Sequence, residues 1–188
     1  MERSFEALLV DQCAPTLVGV KPASLFRYQG RDPGEARRQA QRWGRELAAY
    51  GLTVEVLKTC PQTGACMILL YRAGWLCRIL AEPANRQFLF QQGYSTTATL
   101  PQILEQLSDR LCLEREYPHE IGLFLGYPLE DVVGFIRNRG RNFTCCGYWK
   151  AYGDPAAARR RFAQYRRCTD MCKERFRQGA EIIELIAA

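Results

Sequence analysis

The chain has 188 residues, 47% hydrophobic and 11% aromatic, with a formal net charge of +6 and nine cysteines. That length and apolar content fit one domain with a real core and exclude a disordered chain. No apolar run approaches the roughly 20 residues that span a bilayer, and the opening M-E-R-S-F-E lacks the basic-then-apolar order of a signal peptide, so a cytoplasmic protein with no membrane partner is expected.

Phe5, Leu8 and Leu9 after Ser4 predict a first helix that ends before Pro15, with Cys13 in its last turn. Thr16 to Val20 reads as a short β-rich run, and Ser24 to Tyr28 as a second extended piece. Asp32-Pro33 caps a helix with apolar positions Ala36, Ala40, Trp43, Leu47 and Tyr50, stopped by Gly51. Thr53 to Thr59 and Cys66 to Arg72 are β-rich and separated by C-P-Q-T-G-A, which predicts a hairpin with a longer turn. Ala73 to Gln92 reads as two short helices broken at Glu82-Pro83 and ended by Gly93, with Phe88 and Leu89 facing in. Thr99 and Gln102 form a capping box for a helix carrying Ile103, Leu104, Leu107 and Leu111.

Pro118 to Gly140 has the sharpest punctuation and holds the only histidine. Ile121 to Leu125 is an apolar run of strand length, Gly126-Tyr127-Pro128 turns the chain, and Leu129, Val132, Val133 and Ile136 fall at helical spacing. Pro128 suits the first helical position, Glu130 and Asp131 face the positive end of the dipole, Arg137 and Arg139 the other, and Gly140 closes the helix. A buried strand feeding a helix through a glycine turn is where α/β proteins place ligands. A strand is expected from Gly147 to Tyr152. Asp154-Pro155 then opens the longest helix, with Ala158, Phe162, Tyr165, Thr169, Cys172, Phe176, Ile183 and Ile186 apolar and Gly179 a weak point. Together these elements predict an α/β fold, with α+β as the alternative: a single domain over residues 1–188, a mixed sheet flanked by helices, and a long C-terminal helix packed along the sheet through Phe162, Tyr165 and Phe176.

The run P-H-E-I-G-L-F-L-G-Y-P-L-E-D-V-V-G-F-I, with C-C-G-Y-W-K-A-Y-G-D after it and C-A-P-T-L-V-G-V-K near the start, resembles a bacterial domain-of-unknown-function family, number 3793, over nearly the whole chain. The resemblance implies a cytoplasmic protein of anaerobic Gram-positive bacteria and brings no activity with it. Arg137, Arg139 and Arg141 make this chain more basic there than the resemblance implies.

Three constellations could carry chemistry. His119 with Glu120 offers acid–base work, although neighbours on a strand point to opposite faces. Cys13 and Lys21 could meet at one rim of the sheet, where a lysine lowers a thiol pKa while a helix C-terminus raises it. Cys145-Cys146 with Cys168 and Cys172 offers four thiols, but the spacing fits no common zinc or iron–sulfur motif, and Cys172 lies on the apolar stripe. Cys60 and Cys66 flank the hairpin turn and are expected to stay reduced thiols. No phosphate-binding glycine loop, dinucleotide fingerprint, zinc-protease motif or serine-hydrolase elbow occurs.

Catalytic candidates are therefore His119, Glu120, Cys13 and Lys21, ligand- or cofactor-binding candidates are Tyr127, Glu130 and Lys150, no metal ligand is assigned, and no cofactor is identified. The leading reading is a small-ligand-binding protein or a thiol/acid–base enzyme. The second is an interaction or regulatory protein: residues 137–177 hold twelve Lys or Arg against Asp154, Asp170 and Glu174, locally +9, which suits an acidic partner such as a redox carrier protein or nucleic acid docked on the basic C-terminal helix. Nucleic acid is disfavoured there, since the arginines are not interleaved with aromatics. The third is a metal or iron–sulfur protein. His119 near Cys13 or Lys21 would favour catalysis; Tyr127 and Glu130 around a pocket with Lys150 would favour ligand binding.

Overall fold

A computed structural model describes residues 4–32, 34–113 and 117–186. They form two compact units, Met1–Gly74 with Cys168–Ala188, and Trp75–Arg167. The class is α/β with a long C-terminal helix.

The first unit opens with α1 (Phe5–Leu17), capped by the Ser4 hydroxyl, which accepts from the Ala7 N–H at 3.1 Å. Pro15 does not end it. The ring costs the helix one hydrogen bond so close to its end, and the Pro15 carbonyl then accepts from the Val20 and Lys21 N–H groups at 2.8 and 3.0 Å. Thr16 to Val20 is therefore the last turn and the reversal after it, with Gly19 at φ 79°, and not the expected strand. Next come β1 (Ala23–Tyr28), α2 (Glu35–Ala48), β2 (Thr53–Thr59) and β3 (Cys66–Tyr71). The sheet order is β1-β3-β2, and both neighbouring pairs are antiparallel where a mixed sheet was expected. The reason is connectivity: α2 carries the chain from β1 to a parallel β2, and the hairpin return inserts β3 between them.

Alternation on β1 and β3 sends Phe26, Tyr28, Ile68 and Leu70 to one face, where they join Leu9 and Leu17 of α1 and Ala40, Trp43 and Leu47 of α2 in one buried cluster. Phe5 meets Phe26 and Tyr28 edge-on at 5.4 and 5.1 Å. Arg72 donates to the Thr16, Leu17 and Tyr50 carbonyls, which occupies acceptors left over where two helices end. Gly179, at φ 96°, separates α8 (Pro155–Arg177) from α9 (Ile182–Ile186), and Cys172, Ile182 and Leu185 complete the cluster, with Phe176 packed against it.

In the second unit α3 (Ala73–Ala81) and α4 (Pro83–Gln91) break at Glu82-Pro83 as expected. Thr99 opens α5 (Leu100–Leu113), its N–H donating to the Gln102 carboxamide oxygen at 2.8 Å. Then follow α6 (Ile121–Phe124), α7 (Leu129–Asn138) and a two-stranded pair, β4 (Cys145–Cys146) with β5 (Lys150–Ala151), shorter than the Gly147–Tyr152 strand expected. Phe162 and Tyr165 of α8 pack on Trp149 and Tyr148 of this small hairpin, while Phe176 belongs to the other unit's core.

Two helical glycines separate propensity from packing. Gly44 in α2 has room for a methyl group, with Val54 atoms at ordinary contact distance; a Cβ at Gly134 in α7 would overlap the Tyr152 ring. Gly44→Ala is expected to stabilise by up to about 1 kcal/mol, and Gly134→Ala to destabilise by about 1–3 kcal/mol. Urea unfolding of the two variants, with opposite shifts of the midpoint, checks this.

Candidate functional site

The stretch expected to be a strand, Ile121 to Leu125, is a helical turn. Pro118, His119 and Glu120 carbonyls accept from the Ile121, Gly122 and Leu123 N–H groups at 2.9–3.2 Å, and the Leu125 N–H returns to Ile121 at 3.0 Å. All of Ile121 to Leu125 is buried, and a short apolar run that is buried on every side has no periodicity to distinguish strand from helix. Gly126, at φ 79°, then closes the turn, with the Tyr127 N–H donating to the Gly122 carbonyl at 2.9 Å. The change is geometric as well as formal. Five extended residues would hold His119 and Tyr127 roughly 17 Å apart, whereas the compact turn lets both line one cavity.

That cavity, of about 390 Å³, lies between α6, α7 and the β4–β5 hairpin. Its walls are aromatic: Tyr117, Tyr127, Phe135, Tyr148 and Trp149. Tyr127 stacks on Trp149 with centroids 4.8 Å apart and planes 22° from parallel, and its hydroxyl donates to the Tyr148 carbonyl at 3.3 Å. Burial pushes the Tyr127 phenol up to about 12, so it stays protonated at any ordinary pH. Asp131, in the first turn of α7 and buried, holds the hairpin in place. One oxygen accepts from the Trp149 indole N–H at 2.7 Å, the other from the Tyr152 and Gly153 backbone N–H groups at 2.6 and 2.9 Å.

The candidates part company around this cavity. His119 lines it, exposed, with its ring 4.9 Å from Phe135 and 6.0 Å from Tyr117. Lys150 lines it too, its ammonium donating to the Gly140 carbonyl at 2.8 Å. Glu120 does not share the site with His119. It is buried, and one carboxylate oxygen accepts from Arg110 at 2.8 Å and the Tyr94 hydroxyl at 3.1 Å, with the guanidinium 4.8 Å above the Tyr94 ring. Glu130, on an exposed position of α7, abuts Gly153 and is not among the lining residues.

Cys13 and Lys21 belong to the other unit, where both are buried and close enough for their charges to interact. Burial pushes the thiol up to about 12, against the smaller pull of Lys21, and pushes the ammonium down to about 8. At neutral pH Cys13 is a protonated thiol in a closed core. Beside it the Thr16 and Ser24 hydroxyls hydrogen-bond at 2.8 Å, Ser24 also reaching the thiol. Among the described residues no group of three or more His, Cys, Asp or Glu is placed to hold a metal ion.

Sequence reasoning missed Asp131, Phe135, Tyr148 and Trp149 as site residues. Asp131 carried a signal, a carboxylate in a first helical turn, that a dipole interaction explained fully; Trp149 carried none, because its partner lies 18 residues back. The model of a protein family described as "Protein of unknown function (DUF3793)" matches residues 9–186. The chain belongs to that family. The match spans the pocket, the Asp131 anchor and the Cys13–Lys21 pair alike. No curated protein and no solved structure matches the chain.

Two outcomes follow from these anchors. Asp131→Ala removes the acceptor of three N–H groups and is expected to cost about 3 kcal/mol or more and to shift tryptophan emission to the red; Asp131→Asn, whose amide would face the indole donor, should fall between it and wild type. Unfolding curves with fluorescence detection check both. Lys21 holds its proton less tightly folded, at about 8, than unfolded at 10.5, so between those values the unfolded chain binds more protons and stability rises with pH. Relative to Lys21→Met, wild type is expected to gain about 3 kcal/mol from pH 7.5 to 10.5. Cys13, held at about 12 beside Lys21 and higher still without it, stays protonated in both folded proteins over this range and so drops out of the comparison; a flat difference would show Lys21 to be solvated.

Proposed function

We propose that the cavity between α6, α7 and the β4–β5 hairpin binds a small molecule with a planar aromatic ring. The single observation that carries this reading is a concave space of about 390 Å³ faced by five aromatic side chains, of ordinary size for a small-ligand site. Rings supply flat, rigid contact area, and a stacked aromatic contact is worth about 1–3 kcal/mol. Few polar groups converge on the space. The His119 ring nitrogens have no hydrogen-bond partner among the described residues, and the remaining protons of the Lys150 ammonium are left for a ligand. Binding is favoured over thiol catalysis because Cys13 and Lys21 line a different, closed environment and Glu120 is committed to Arg110 and Tyr94.

A second reading has its own support. Arg159, Arg160, Arg161, Arg166 and Arg167 are all exposed on α8, a cationic face suited to an acidic protein partner.

The test of the ligand reading is equilibrium binding of two uncharged rings, indole and adenosine. Phe135→Ala is expected to weaken binding of at least one of them about tenfold, whereas Phe90→Ala, which alters an exposed ring of the separate groove near Cys77 and Arg86, should leave it unchanged. Equal effects of the two substitutions, or no binding at all, would contradict the assignment.

A further inference from the structure

We infer that the bound ring carries an anionic group, phosphate or carboxylate, that docks on the Lys150 ammonium. This rests on the ligand-binding reading above and adds the charge of what is bound.

Among the described residues Lys150 is the only Lys or Arg that lines the cavity. It is half-buried, and its ammonium meets one backbone carbonyl and two ring faces, with Phe143 at 5.1 Å and Phe135 at 5.9 Å. An ammonium has three protons, and the Gly140 carbonyl takes one. Among the described residues no carboxylate lies within ion-pair distance of Lys150. A half-buried cation without a counter-charge is costly, and an arriving anion removes the cost by completing both its charge and its hydrogen bonds.

The neighbouring backbone repeats the sign. Gly140, whose carbonyl holds Lys150, is flanked in the chain by Arg139 and Arg141, so the loop that meets the ammonium carries two further cations. Both are exposed and make no ion pair among the described residues. Gly140 also permits the arrangement: a Cβ there would stand 3.1 Å from the Phe135 ring and 3.4 Å from the Lys150 ammonium, and its φ is 71°. Among the described residues Asp131 is the only carboxylate that lines the cavity, and its two oxygens already accept three N–H groups, so it is directed into the hairpin. The space therefore joins aromatic walls to one cation, which selects planar aromatic acids such as nucleoside monophosphates or aryl carboxylates over uncharged rings.

Calorimetric titration of two matched pairs, adenosine with AMP and indole with indole-3-acetate, tests this on wild type, Lys150→Met and the Arg139→Gln/Arg141→Gln double variant. At low salt the anionic member of at least one pair is expected to bind wild type about tenfold or more tighter than its neutral partner. Lys150→Met should remove most of that advantage and leave the neutral ring within about threefold, and the double variant should weaken the salt dependence. If Lys150→Met does not fold, the wild-type salt series decides: affinity for the anion that falls with salt supports the inference, and a flat series overturns it. Equal binding of neutral and anionic members overturns the charge while the aromatic site stands. Absence of binding by all four removes the site and the inference with it.

Discussion

One buried carboxylate organises the Trp75–Arg167 unit around its cavity. Asp131 sits in the first turn of α7, and each of its oxygens is taken by N–H groups from the chain 18 to 22 residues later. A buried carboxylate must be satisfied in this way or be neutralised, so the β4–β5 hairpin cannot shift without stranding a charge. With the hairpin fixed, Trp149 stands where Tyr127 can stack on one side and Phe162 meet it edge-on at 4.5 Å. The same unit has a second closed carboxylate, Glu120, tied to Arg110 and Tyr94 just before α6. The two acids brace the elements that border the space while Tyr117, Tyr127, Phe135, Tyr148 and Trp149 face into it.

The other unit uses its polar groups differently. Arg72 reaches three backbone carbonyls at helix ends, and Cys13, Lys21, Thr16 and Ser24 bring polar atoms into a dense apolar core. There the lysine's charge is opposed by burial and the thiol's ionisation suppressed by it. The chemistry that Cys13 and Lys21 suggested from the sequence is damped by the very burial that brings them together.

Periodic elements were legible and closed ones were not. The α2 stripe of Ala36, Ala40, Trp43 and Leu47, the hairpin of Thr53–Thr59 with Cys66–Tyr71, the break at Glu82-Pro83 and the Thr99–Gln102 cap all stand as their local signals imply, because each rests on contacts within a few residues or on one-sided burial. Ile121 to Leu125 misled for the opposite reason: buried on every side, it loses the polar face that distinguishes helix from strand. Pro15 misled because a proline in a final turn is tolerated when the following loop takes up its carbonyl. Of the residues that line the cavity, His119, Tyr127 and Lys150 stood out through turn punctuation and residue type. Trp149 and the role of Asp131 were not, since both depend on a contact between α7 and a hairpin whose strands are two residues long.

Membership in the DUF3793 family covers both units and leaves the chemistry to the geometry of the pocket. The most direct test of the account is to map where a planar acid binds, by titrating AMP and indole-3-acetate into isotopically labelled protein and following backbone amides and tryptophan indoles by NMR. The account predicts that the largest shifts fall on Gly122, Gly147, Tyr148 and the Trp149 indole, with Gly140 and Arg141 moving only for the charged ligands. Shifts centred instead on the Cys77–Phe90 groove, or on the arginine face of α8 with the Trp149 indole unmoved, would contradict it.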